Sequence, residues 1–233
     1  MKKSIKIFSL IMLFLIVLGD AMYLLNTNNI IPSSSLLSVI IKGSTSALFV
    51  ITGLVNMIYA VKNDTKYLKA TILLFIGLVF AMAGDIMLEI VFIVGAGLFG
   101  VGHIFFFISY CFMARFKVRD LLYGLVIFLP SLAIILFVPI LDYGGTTMLI
   151  VCIAYALVIS LMLGKAISNY NTLHTLLSMV ILIGSMLFFF SDMMLLFDIF
   201  GHIPYTNLLC LITYYPAEYI LALSIYFASK EKV

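Results

Sequence analysis

The sequence predicts an all-α, polytopic transmembrane bundle of about eight helices, and three observations lead there. Of 233 residues, 65% are hydrophobic and only 10% are charged. Apolar runs long enough to span a bilayer recur along the whole chain, and the cations gather at alternate connections between them. A soluble domain carries roughly 25% charged residues. So few charges cannot build a water-facing surface, so the surface must face lipid. The net charge of +3 gives no reason to expect a nucleic-acid partner.

A spanning helix needs ~20 predominantly apolar residues. The runs that qualify are 5–25, 35–61, 68–91, 95–114, 120–140, 145–165, 174–198 and 204–229. Short connections carry the turn residues: Asn26 to Ser35, Asn63 to Lys66, Asp142 to Gly145, Ser168 to Asn171, and Gly201 to Pro204. None is long enough to hold a soluble domain, so residues 1–233 are expected to form a single transmembrane domain. Lys2, Lys3 and Lys6 ahead of an apolar run resemble a signal peptide. No small-residue cleavage site follows and the run continues to Leu25, so a retained first span is expected. Cys111, Cys152 and Cys210 lie inside apolar runs without metal or redox spacing, and read as packing residues.

Lys and Arg residues set the expected orientation. Lys2, Lys3 and Lys6, then Lys62, Lys66 and Lys69, then Arg115, Lys117 and Arg119, then Lys165, then Lys230 and Lys232 fall at the termini or at alternate connections. The other connections have none. With eight spans, the positive-inside rule places both termini in the cytoplasm.

Lys42, Asp85, Glu89, His103, Asp192 and Glu218 lie within spans. A charged residue near the centre of a spanning helix costs ~2.5–3.5 kcal/mol on insertion scales, so such groups face protein or a wet cavity. Asp85 and Asp192 each lie about 25 Å from the inner start of their helices at a 1.5 Å rise per residue. Lys42 and His103, on helices running the other way, sit roughly 10 Å below the outer surface. Four ionisable side chains thus reach similar depth, with Glu218 nearer the middle as a floor. A polar cavity open toward the outer leaflet is expected. Asp85 and Glu89 share a face at i,i+4, Tyr214 and Tyr215 form a patch with Glu218, and His103 shares a face with Tyr110. Gly95, Gly97, Gly100 and Gly102 are expected to permit close helix approach.

Some of these residues have plainer explanations. Lys42 fits snorkelling to the interface, and His103 fits a hydrogen-bonded packing role. Asp20 and Asp198 read as helix-end residues in contact with water. Phe105 to Phe107 and Phe188 to Phe190 read as lipid-facing or packing residues. A faint echo links Gly84-Asp85-Ile86-Met87-Leu88 with Ser191-Asp192-Met193-Met194-Leu195.

The ordered set of Lys42, Gly84-Asp85 with Leu88, Gly102-His103 with Tyr110, Ser191-Asp192, and Tyr214-Tyr215-x-Ala217 resembles the YhhN-like family, whose characterised members are lysoplasmalogenases. Two places depart from the family pattern. Glu218 stands where Gln is common, and Gly43-Ser44 replaces a proline-containing stretch.

The resemblance implies hydrolysis of the vinyl ether bond of a lysoplasmalogen to a fatty aldehyde and a glycerophospho-base, in an integral protein of a bacterial cell membrane. Such chemistry needs one carboxyl that holds a proton and another that is charged, and a pair in unequal surroundings supplies both. Glycosidases use such pairs around a related cation. The expected catalytic residues are Asp85 and Asp192, with His103 orienting one or moving its proton. Lys42, Tyr214, Tyr215, Glu218, Glu89 and Tyr110 are the expected substrate-binding residues, Lys42 meeting the lipid phosphate. No metal or cofactor is expected. The partners are a lysophospholipid and the bilayer; oligomeric state stays open. The competing class is a transporter or lipid-binding protein, because buried carboxylates also form proton relays.

Overall fold

A computed structural model of the protein describes residues 3–27, 30 and 34–231, with the side chain of Lys3 outside the description. Lys2 and Lys232 also lie outside the described residues, as do positions 28, 29 and 31–33 of the first connection. Among the described residues there are eight helices: α1 Lys3–Thr27, α2 Ser35–Lys62, α3 Leu68–Leu88, α4 Phe92–Met113, α5 Val118–Phe137, α6 Thr146–Leu173, α7 Leu176–Gly201 and α8 Thr206–Ala228. Each is long and apolar enough to cross a membrane, which makes this an integral membrane protein. Helices suit that solvent because each backbone N–H and C=O finds its partner within its own segment.

Local chemistry sets several ends. The Ser34 hydroxyl caps α2 by accepting from Leu37 N at 3.1 Å. Thr175 and Ser178 form a reciprocal capping box at the start of α7. His174 and His202 take left-handed conformations, each at φ 49°, where α6 and α7 stop.

Helix α6 departs most from expectation. It continues to Leu173, so the connection expected at Ser168 to Asn171 is helical and Lys165 is no loop cation. Lys165 is 1% exposed and pairs with Asp120 of α5 at 2.7 Å. The Ser168 hydroxyl donates to the same carboxylate, and the Asn169 amide donates to the Tyr110 carbonyl of α4 at 2.8 Å. A polar run that reads as a loop is used here to fasten three helices. Smaller shifts end α3 at Leu88 and begin α4 at Phe92; Glu89 keeps right-handed helical angles as the C-cap of α3, so it still shares a face with Asp85.

Helix α8 lies at the centre. Its most apolar window is 61% buried, against 22–39% for the other seven, and it packs on α1, α2, α3 and α7. Helix α5 is peripheral and packs on α6 alone. There the backbones touch: a Cβ on Gly164 would lie 2.3 Å from the Gly124 nitrogen. The expected glycine contacts of α4 hold at Gly95, against the Leu88 backbone, and at Gly102, against the Gly77 carbonyl. Gly97 instead faces open space, and Gly100 meets only the Tyr155 ring at 3.8 Å. Large apolar side chains such as Phe14, Val126 and Phe137 point outward. Phe106 and Phe188 are fully buried, whereas Phe190 is exposed.

The two ends of the bundle differ in charge. The Thr65 hydroxyl donates to the Ala228 carbonyl, Ser109 donates to the Ala70 carbonyl, and Arg119 donates to Thr172. These bonds bring Lys62, Lys66, Lys69, Arg115, Lys117, Arg119 and Lys230 to one end. The opposite end is closed by the bond from Asp142 N to the Phe200 carbonyl at 2.9 Å.

Breaking the Lys165–Asp120 pair strands a buried charge. Asp120→Leu is expected to cost about 3 kcal/mol, and the double variant Asp120→Leu/Lys165→Met to recover most of that loss. Thermal unfolding in mild detergent, followed by circular dichroism, measures both. An Asp120→Leu protein as stable as wild type would remove the pair from the fastening of α5.

Candidate active site

Apart from Asp120, held at the basic end, Asp85, Glu89 and Asp192 lie toward the opposite end of the bundle. Asp85 of α3 is 1% exposed. Its Oδ2 accepts from the Ser46 hydroxyl of α2 and from the Tyr214 hydroxyl of α8 at 2.7 Å. Lys42 lies one turn before Ser46 on the same face of α2. Its Nζ is 3.9 Å from Asp85 Oδ1 and 3.1 Å from Glu89 Oε1. The Tyr23 hydroxyl of α1 donates to that same Glu89 oxygen at 2.6 Å. One cation and two carboxyls are thereby tied to three hydroxyls from α1, α2 and α8. Lys42 does not simply snorkel, because its ammonium is held between two acids.

Asp192 of α7 has different partners. The Tyr155 hydroxyl of α6 donates to its Oδ2 at 2.6 Å, and His103 Nε2 of α4 lies 3.2 Å from the same oxygen and 2.8 Å from the Tyr155 hydroxyl. A carboxylate oxygen offers only lone pairs, so this geometry suits a proton on Nε2. The imidazole is fully buried, with its ring centroid 4.6 Å from that of Phe188. Both bonds fall on Oδ2, which leaves Oδ1 uncommitted on a side chain that is 12% exposed.

Asp85 and Asp192 line one polar cavity, of about 730 Å³ with the open space at its mouth, together with Lys42, Glu89, Asp198 and Tyr214. A second cavity, of about 680 Å³ with its open mouth, lies beside it among α4, α6 and α7, with Ile135 of α5 at its edge. Apart from Tyr155 and Asp192, its described lining is hydrophobic. Leu88, Phe92, Phe99, Asp192 and Leu195 border both cavities and form a common wall. The Phe99 ring can take its place because Gly84 has no side chain: a Cβ there would lie 2.7 Å from it. The glycine before Asp85 thus makes room for an aromatic between the cavities.

Not every expected residue joins the cavity. Tyr110 is fully buried and bonds Ser185 at 2.9 Å, toward the bundle interior. Tyr215 packs edge-on against Tyr214, with ring centroids 5.0 Å apart, and neither it nor Glu218 borders the polar cavity. Glu218 is fully buried, and among the described residues neither carboxyl oxygen has a hydrogen-bond partner. It lies within electrostatic reach of both Asp85 and Asp192. Asp20, expected in water, is instead buried, with one oxygen unpartnered; Asp198 borders the polar cavity. Among the described residues, no three His, Cys, Asp or Glu side chains are grouped to hold a metal ion.

Three contributors were not singled out from the sequence: Tyr23, Ser46 and Tyr155. Ser46 had a signal, since it falls one turn after Lys42. Tyr155 had none, standing alone in the apolar run of α6.

The sequence model of the YhhN family matches residues 37–225. This chain belongs to the YhhN family. The match begins before Lys42 and ends after Glu218, so every site residue except Tyr23 lies within it. No curated protein matches the chain, and no solved structure does. The YhhN family includes lysoplasmalogenases.

A buried acid without donors weakens a bundle, and a neutral amide of the same shape relieves it. In this YhhN protein Glu218→Gln is expected to leave the melting temperature unchanged or raise it. Asp192→Leu, which removes the acceptor of the buried His103 and the half-buried Tyr155, is expected to lower it through a loss of about 1–3 kcal/mol of stability. Parallel thermal melts decide this, and a clear loss of stability in Glu218→Gln would show that the carboxylate has a partner.

Proposed function

We propose that this protein hydrolyses the vinyl ether bond of a single-chain ether phospholipid, as a lysoplasmalogenase does. One observation carries the proposal: two aspartates with unlike partners border the same cavity within the bundle. Asp192, with Oδ1 uncommitted, gives a proton to the alkene carbon remote from the ether oxygen. An oxocarbenium ion results, with its charge shared by that oxygen. Water adds to the cationic carbon and passes a proton to a carboxylate. The hemiacetal then collapses to a fatty aldehyde and a free glycerol hydroxyl, and the acid is restored. His103 and Tyr155 hold Asp192 in place and return its proton. Asp85 opposes the developing positive charge from the other wall, and the face of Phe99 favours a cation beside it.

The headgroup follows from charge. Lys42 is the single cation bordering the polar cavity, against Asp85, Glu89, Asp192 and Asp198. A zwitterionic head, with its phosphate toward Lys42 and its amine toward the carboxyls, suits that balance better than a purely anionic one. The basic end of the bundle faces the cytoplasm by the positive-inside rule, which turns the cavity toward the outer leaflet.

The test is purified protein in mild detergent with alkenyl-lysophosphatidylethanolamine, its saturated alkyl analogue and the acyl lysolipid. Aldehyde is expected from the alkenyl lipid alone. Asp85→Asn and Asp192→Asn are each expected to reduce its release at least about 100-fold, the lower end for acid–base catalysis. Tyr155→Phe is expected to reduce it less, about tenfold, because it removes one charge-assisted hydrogen bond of ~1.5–3 kcal/mol. Fatty acid from the acyl lipid would discard the vinyl ether mechanism. No turnover by monodisperse wild type would favour a transporter whose aspartates carry protons.

A further inference from the structure

We infer that the apolar cavity among α4, α6 and α7 is the binding site for the single hydrocarbon chain of the lipid, with Asp192 marking where chain meets head. The inference rests on the lipid of the preceding proposal and adds where its tail lies and what limits its length.

Three features support it. First, the cavity adjoins the polar one along a common wall, and Asp192 is the one ionisable residue described on that wall. An amphiphile with its chain on one side and its phosphate on the other passes its ether linkage beside the uncommitted Oδ1. Second, polarity separates cleanly. Tyr155 and Asp192 are the polar side chains in the described lining, and they are bonded to each other, which leaves Phe92, Ile159, Met193 and Leu196 as a hydrocarbon surface. Third, α4 and α7 do not pack backbone to backbone, although α6 packs on both. Their side chains, among them Phe99 and Phe188, span the gap. The apolar cavity lies on one side of the common wall and the polar cavity on the other, which suits a lipid with one hydrocarbon chain and one head.

Small side chains mark where chain length is set. Ala96 and Ala156 border this cavity and not the polar one. A larger residue at either takes up apolar space and leaves the lining of the polar cavity unchanged.

The absence of tryptophan from the chain permits a direct test. Phe189→Trp places one reporter in the cavity lining, and Phe137→Trp places one on the lipid-facing surface, where Phe137 is 78% exposed. The proteins are reconstituted in nanodiscs and titrated with a saturated alkyl lysophosphatidylethanolamine brominated in its chain, which no vinyl ether hydrolase cleaves. The cavity tryptophan is expected to quench saturably at about tenfold lower probe than the surface one. A two-chain brominated phospholipid is expected to quench only the surface one. At a fixed mole fraction of probe in the bilayer, quenching is expected to hold a plateau as the chain lengthens and to fall once the chain outgrows the cavity. Adding Ala156→Leu should end that plateau at a shorter chain. Equal quenching of both reporters, or quenching of the cavity reporter by the two-chain lipid, would overturn the inference. So would an unchanged plateau in well-folded Ala156→Leu and Ala96→Leu. Hydrolysis is not needed for this readout. A saturable site without aldehyde release would leave the chain site standing and remove the hydrolase, whereas aldehyde release without saturable quenching would do the reverse.

Discussion

A carboxyl inside a lipid-facing bundle has no bulk water to solvate it, so the protein must supply donors or a cation. That constraint organises this structure. Asp85 draws a hydroxyl from α2, another from α8 and the Lys42 ammonium. Asp192 draws on α4 and α6. Asp120 takes the ammonium and a hydroxyl of α6 and a backbone N–H at its own helix start. Each acid ties together segments that hydrophobic contact alone would leave free to slide, because lipid tails and apolar side chains attract one another equally well. Glu218 differs as a buried acid with no donor among the described residues, within electrostatic reach of two others.

The two ends of the molecule use this interaction differently. At the basic end, Asp120, Lys165 and Ser168 fill each other's valences close to the Gly124–Gly164 backbone contact. At the other end Asp192 keeps one oxygen uncommitted and borders two cavities. A closed network holds helices together; an incomplete one beside empty space is equipped to meet a molecule from outside. The aromatic cluster of Phe99, Phe188 and Tyr214, with ring centroids 5.4–6.2 Å apart, fills the region next to both aspartates with apolar surface on that side. A fixed, weakly polar environment strengthens the electrostatic effect of each charge on a developing cation.

Much of the site was legible because charge in an apolar run is conspicuous. Lys42, Asp85, Glu89, His103 and Asp192 stand out by their cost, and helix rise placed the two aspartates at matching depth. Hydroxyl groups give no such signal. Ser46 and Tyr155 are ordinary residues of membrane helices, and only the approach of α2 to α3 and of α6 to α7 makes them donors. Tyr110 shows the opposite error: His103, itself fully buried, joins the site only through Asp192, and Tyr110 on the same face bonds Ser185 instead. Lys165 was misjudged for a related reason, since Ser168 and Asn169 resemble a loop until Asp120 and the Tyr110 carbonyl are seen opposite them.

The sequence by itself determined the solvent, the number of helices and the separation of basic from acidic ends. These follow from hydropathy and charge summed over ~20 residues, which no neighbouring helix alters. Only the tertiary structure decided which helix is central, which acids are sealed and which open, and that a polar and an apolar cavity share one wall. Those outcomes depend on side chains meeting across helices distant in sequence, such as Asp85 with Tyr214 and His103 with Asp192. Periodicity gives the direction in which a side chain leaves its helix, and packing alone gives what it meets.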